Sequence, residues 1–199
     1  MSGIIAQNSG RHTGLVKASS GGGVWNLIET LTSGGSDNDL SFTSGIDSTY
    51  DEYVFKFINI QPGTDASQFK MNLSIDTGSN YNVTKTSTNF YAGHTEADAT
   101  GFGYASALAQ STAVAHITVG DIGSAGDESC SGEMFLYAPS DTTFVKHWMS
   151  VCTIYGSNPQ SQVTYGAGYG NTTSAVDAVQ FTMDSGTIAA GSISLYGIS

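Results

Sequence analysis

Phe69-Lys-Met-Asn-Leu-Ser-Ile-Asp76 is the stretch that decides the fold. Phe69, Met71, Leu73 and Ile75 alternate with Lys70, Asn72, Ser74 and Asp76. In an extended chain successive side chains point to opposite faces, so this spacing puts the four apolar residues on one side; a helix would scatter them. The segment is therefore expected to be a half-buried strand. Just upstream, Tyr53-Val-Phe-Lys-Phe-Ile-Asn-Ile60 is apolar on both faces, as a central strand requires. Gln61-Pro-Gly-Thr-Asp65 joins the two with turn chemistry, and Asp76-Thr-Gly-Ser-Asn80 ends the second in the same way. Tyr81-Asn-Val-Thr84 then resumes the extended pattern.

Working outward, further strands are expected at 24–32, 114–119, 132–138, 144–155, 162–168, 176–183 and 191–198. In the 162–168 run, Val163, Tyr165 and Ala167 alternate. Many short strands broken by Gly, Asn, Asp and Pro indicate an all-β chain, an antiparallel, jelly-roll-like sandwich. Only 102–115 hints at helix. Its alanines favour one, Gly101 and Gly103 weaken its start, and the expectation is a loop or a single short helix. No repeat of propeller or solenoid length is visible.

The length of 199 residues suits one domain with an arm. Residues 24–199 form the expected sandwich. Residues 1–23 differ: short apolar pairs sit among Gly, Ser and Asn, and the run ends Ser19-Ser-Gly-Gly-Gly23, a glycine hinge. This arm holds Arg11 and Lys17 but no acidic residue. Its opening lacks a basic stretch followed by an apolar one, so no secretory signal is read and synthesis in a cytoplasm is expected. Against that background, the sequons at Asn72, Asn82 and Asn171 reflect composition rather than glycosylation.

Composition excludes several functions. Six Lys and Arg against 17 Asp and Glu give a net charge of −11, no footprint for nucleic acid. No run is long and apolar enough for a membrane helix. Charged residues are only 12% of the chain while 39% are hydrophobic, which is not the balance of a disordered tail. Two cysteines, Cys130 and Cys152, are too few for a disulfide framework or a zinc site; two buried thiols are the expectation, although a bridge across the 21 residues between them is feasible.

Catalytic patterns are absent. His12 lies in the arm, His94 in a polar loop beside Glu96 and Asp98, and His116 and His147 in expected strands. There is no zinc-protease helix motif, nucleophile elbow or phosphate loop. Gly101-Phe-Gly103 and Gly166-Ala-Gly-Tyr-Gly170 lack the strand–turn–helix setting of a dinucleotide fingerprint. Asp37, Asp39, Asp47, Asp51 and Glu52 could offer oxygens to calcium, but the EF-hand spacing fails and a solvated loop is expected. Neither an enzyme nor a cofactor or metal site is expected. The aromatics Phe90, Tyr91, Trp148, Tyr155, Tyr165 and Tyr169 could stack on sugars if exposed; burial or subunit contact is the default.

The opening Gly3-Ile-Ile-Ala-Gln-Asn-Ser-Gly-Arg11 with Gly14-Leu-Val-Lys-Ala18 resembles the start of small structural proteins of tailed phages, especially aquatic ones. The run Tyr50-Asp-Glu-Tyr-Val-Phe-Lys-Phe-Ile-Asn-Ile-Gln-Pro62 is similar to a pattern in phage fibre and decoration proteins. Gly132-Glu-Met-Phe-Leu-Tyr-Ala-Pro139, Thr172-Thr-Ser-Ala-Val-Asp-Ala-Val-Gln-Phe181 and Ser194-Leu-Tyr-Gly-Ile198 extend the likeness over most of the chain. The resemblance implies a virion structural protein, a capsid decoration protein or short tail fibre, docked on other virion proteins through its arm and often a homotrimer. Ile4, Ile5, Leu15 and Val16 are then the apolar anchors, and Arg11 and Lys17 would pair with acidic groups. A receptor-binding fibre tip, recognising a glycan or protein on the host surface, is the alternative.

Overall fold

The computed structural model describes residues 24–106 and 114–199. The arm, with Ile4, Ile5, Arg11, His12, Leu15, Val16 and Lys17, lies outside the described residues. Twelve strands are present: β1 Trp25–Thr32, β2 Asp39–Phe42, β3 Glu52–Pro62, β4 Phe69–Ser74, β5 Lys85–Thr95, β6 Thr100–Tyr104, β7 Ala115–His116, β8 Cys130–Tyr137, β9 Lys146–Tyr155, β10 Gln160–Gly170, β11 Ala178–Met183 and β12 Ile188–Ile198. They form an eight-stranded sheet, β1-β12-β3-β8-β9-β10-β5-β6, and a four-stranded sheet, β2-β11-β4-β7, both antiparallel. The two pack as a sandwich.

The strand order contains a jelly roll. The quartet β1-β12-β3-β8 and the quartet β2-β11-β4-β7 match position by position, each strand opposite its neighbour in sequence. Two hairpins are inserted into this frame. β5 and β6 lie between β4 and β7 in sequence, and β9 and β10 between β8 and β11. Both add to the β8 edge of the larger sheet and double its width.

The core of the jelly-roll half is a cluster of phenylalanines. Phe181 of β11 packs against Phe55 and Phe57 of β3, both with ring centroids 5.2 Å away, and stacks on Phe69 of β4 at 5.6 Å. Phe42 of β2 closes the cluster against Phe55. Ile193, Leu195, Met71 and Leu73 fill the layer around them. Tyr53 is buried beside this core, and its hydroxyl is held in the β2–β3 loop: it donates to the Asp47 carbonyl and accepts from Asp47 N–H.

The strand at 69 matches its sequence pattern at Phe69, Met71 and Leu73, all fully buried. The pattern fails at its end. The strand stops at Ser74, which is buried with its hydroxyl bound to Asp76, while Ile75 turns out to solvent. The expected central strand at 53–60 is indeed central, between β12 and β8. Other expectations need correction. Residues 81–84 are loop, and the strand is β5 beyond them. His94 is in that strand, not in a polar loop. Phe102 is in β6, so a helix from 102 is excluded; residues 107–113 lie outside the described part. The expected strand at 114–119 shrinks to Ala115–His116, and β2 arises within the acidic stretch.

Candidate functional site

Among the described residues, no three of His, Cys, Asp and Glu lie close enough to hold a metal ion. The acidic stretch spends its carboxylates on its own turns. Asp37 accepts from Ser33 Oγ–H and Gly34 N–H, and Asp39 accepts from Ser41. Asp47 accepts from Thr49 N–H, and the Thr49 donors hold its carboxyl below the usual range. Cys130 and Cys152 are free and buried, and burial drives the Cys130 thiol well up in pKa, so it is inert as a nucleophile. His116 is half-buried, and burial followed by the nearby Lys70 charge keeps it below its ordinary pKa. Near it, Asp184 is pushed upward by burial, but Ser67 Oγ–H and Gln68 N–H donate to it and hold it low.

The unusual feature is the polarity of the four added strands. In β10 the inward residues are Gln162, Thr164, Gly166, Gly168 and Gly170, and the outward ones are Val163, Tyr165, Ala167 and Tyr169. β5 repeats this: Lys85, Ser87 and Asn89 point in and are buried, while Phe90 points out and is exposed. The inward glycines make room for an indole. A Cβ on Gly168 would lie 3.0 Å from the Trp148 ring, and one on Gly166 3.3 Å from it. Trp148, a candidate for sugar stacking, is thus buried over bare backbone and unavailable to a ligand.

Around this indole, Ser87 Oγ, both side-chain amide atoms of Asn89, Ser150 Oγ and Trp148 Nε1 are buried with no hydrogen-bond partner. Lys85 and Lys146 sit opposite Gly170 on either side, both fully buried. Lys85 Nζ donates to the Val83 carbonyl and Lys146 Nζ to the Phe144 carbonyl. Burial lowers the pKa of Lys85 to about 7.

The outer face of the same sheet is apolar. One row across the strands runs Leu27, Tyr196, Val54, Phe135, Met149, Ala167. The next runs Lys56, Glu133, Val151, Tyr165, Phe90, Tyr104. Phe90 and Tyr165 stack face to face at 5.0 Å, and Phe102 leans on Phe90 from the edge strand. Phe102 is 79% exposed and Met149 53%. At the other end Trp25 packs edge-on against Tyr196. Lys56 pairs with Glu133 and lies 4.7 Å above the Trp25 ring. A groove of about 510 Å³ crosses this face between Tyr137, Met149, Tyr169 and Thr88.

Beyond the aromatic rows the face turns polar. A cleft of about 540 Å³ is lined by His94, Glu96, Ser131, Thr153, Tyr155 and Ser161. Glu96 lies against Tyr155 and raises its pKa. Of the six aromatics singled out from sequence, Phe90 and Tyr165 are thus on the exposed face, Tyr169 and Tyr155 border its groove and its cleft, Trp148 is interior, and Tyr91 lies on the inward side of β5 opposite Thr164, its ring next to Gly103. Sequence reasoning missed Phe102, Tyr104, Leu27 and Met149 as surface residues; for Phe102 and Tyr104 the signal was their alternation with Gly101 and Gly103. No protein-family model, curated protein or solved structure matches the chain.

Proposed function

We propose that this protein is a non-enzymatic structural component of a virion, a capsid decoration protein or short fibre on the particle exterior. Residues 1–23 attach it to other virion proteins, and the sandwich is the displayed body. The observation that carries this reading is the outer face of the eight-stranded sheet. Wide exposed apolar surfaces mark interaction sites, and a protein that carries one across a sheet face works by assembling. The phage setting comes from the sequence resemblance, and the jelly roll is compatible with it without deciding it, since one fold hosts many functions.

The test is deletion of residues 1–20. The shortened protein should fold, with the circular dichroism and melting of the full chain, and should fail to attach to particles. Normal attachment would remove the arm from the account. Counting copies per particle then separates a decoration protein, present in many copies, from a tail fibre, present in few.

The polar cleft favours one second reading, a receptor-binding tip that recognises a host glycan. Hydroxyls, an imidazole, a carboxylate and a tyrosine ring around one depression are the groups that hold a sugar. Calorimetric titration with malto-, cello- and chitohexaose tests it; no heat with any of the three at millimolar concentration eliminates it for those classes.

A further inference from the structure

We propose that the outer face of the eight-stranded sheet packs against the same face of a second copy of this chain, sheet on sheet, about a two-fold axis. This builds on the reading of the protein as an assembly component, but its test needs no particle. Three observations single out this face and this occupant.

Polarity comes first. A strand in a sandwich turns its apolar residues to whichever side is covered. In β10 and β5 the covered side of the single chain is glycine and polar, and the uncovered side carries Tyr165, Val163 and Phe90. The outward side is therefore the one composed for burial. The four-stranded sheet supplies the contrast: its outward row Ser41–Gln180–Asn72 is polar, with Gln180 Nε2–H donating to Ser41 Oγ at 3.2 Å.

Size comes second. Eight strands at a spacing of about 4.8 Å span roughly 34 Å, and two rows of side chains on one face cover roughly 14 Å along them. That is roughly 480 Å² per copy, or about 1,000 Å² for the pair, the lower end of what a specific interface needs.

Charge identifies the occupant. The chain carries −11, so most ways of joining two copies bring acidic surfaces together. Apart from Glu52 at the sheet's end, the only charged side chains that β3, β8, β9, β10 and β5 place on this face are Lys56 and Glu133, and they neutralise each other. A basic partner would find no unpaired carboxylate on the two apolar rows themselves. A second neutral apolar face, closed by two-fold symmetry, fits.

Sedimentation velocity of the full chain over a wide concentration range tests the proposal. The expected species is a dimer. Met149→Lys combined with Tyr165→Lys should raise its dissociation constant by roughly 30-fold or more, as loss of central interface anchors does. Both side chains are exposed in the single chain, so the variant should keep the parent melting temperature. Gln180→Lys, on the polar face of the other sheet, should leave the dimer intact. A wild-type chain that stays monomeric overturns the proposal and leaves the face to an unlike partner or to residues 1–23. A trimer, or a dimer lost with Gln180→Lys but kept with the double variant, overturns it as well. A dimer that persists while deletion of residues 1–20 leaves particle attachment unchanged would instead fault the arm.

Discussion

The jelly-roll half and the added half of the larger sheet share a backbone and differ in which side of it is oily. In β3 and β4 the inward residues are Phe55, Phe57, Phe69 and Met71, all without exposure. In β5 and β10 the inward residues are Lys85, Ser87, Asn89, Tyr91, Gln162 and Thr164 with Gly166, Gly168 and Gly170. The reason lies in what covers each part. The ring contacts between sheets join β2, β4 and β11 to β3, so the second sheet gives the jelly-roll half a deep apolar layer. Beneath β10 runs irregular backbone instead: Val119 N–H donates to Thr164 Oγ1, and Gly120 abuts Gln162. Backbone passing close under a sheet needs small side chains and hydrogen-bonding groups above it. The difference teaches that alternation along a chain identifies a strand but not its inner side.

If the two halves differ as described, they should respond differently to substitution. The largest effect is expected for Phe181→Ala, which removes the hub of the phenylalanine cluster. Urea denaturation should show a loss of about 3–5 kcal/mol; a loss under about 1 kcal/mol would mean that the apolar layer is not the stabilising half.

Next comes pH. The Lys85 pKa is lowered in the folded protein to about 7, against 10.5 when exposed. Between those values the unfolded chain binds the extra proton, so stability should rise with pH, by at most about 1.4 kcal/mol per unit. Below about 7 Lys85 is protonated in both states and adds no slope. Lys85→Met should flatten the rise and help most at low pH. Melts of both proteins between neutral and mildly alkaline pH read this directly, and parallel profiles would contradict it.

The smallest effect is expected for Ser150→Ala. Its hydroxyl is buried without a partner, so removing it gives up no hydrogen bond and should change stability by under about 1 kcal/mol in either direction. A loss as large as that of Phe181→Ala would show that the polar interior is as tightly coupled as the apolar one.

The same contrast explains what could be read from sequence. β3, β4, β11 and β12 follow the ordinary rule, apolar inward, and their patterns place them. In 162–168 the strand was legible from Val163, Tyr165 and Ala167, but those residues are the outer row, which became clear only once Gly166 and Gly168 were seen under Trp148. β5 was hidden because its inward residues, Lys85, Ser87 and Asn89, read as loop chemistry. β6 was masked by the alanines that follow it, which carry helix propensity without a helix to join at Phe102. Ile75 misled because a turn begins one residue earlier, where Ser74 Oγ accepts from Asp76 N–H and Gly78 N–H. Of the candidate site, the aromatic residues Phe90 and Tyr165 were visible in sequence, but the face that joins them to Leu27 and Met149 exists only through strand register.

The placement of β12 also governs how the chain can be made. β12 is the last strand described, yet it lies between β1 and β3, and Ile198 pairs with both Trp25 and Glu52. While a ribosome is still adding residues 188–198, β1 has no neighbour to bond and one border of β3 stands open. The sheet cannot close from its beginning, so completion waits until β12 itself has emerged. A chain cut within β12 would leave two sticky borders exposed to other chains.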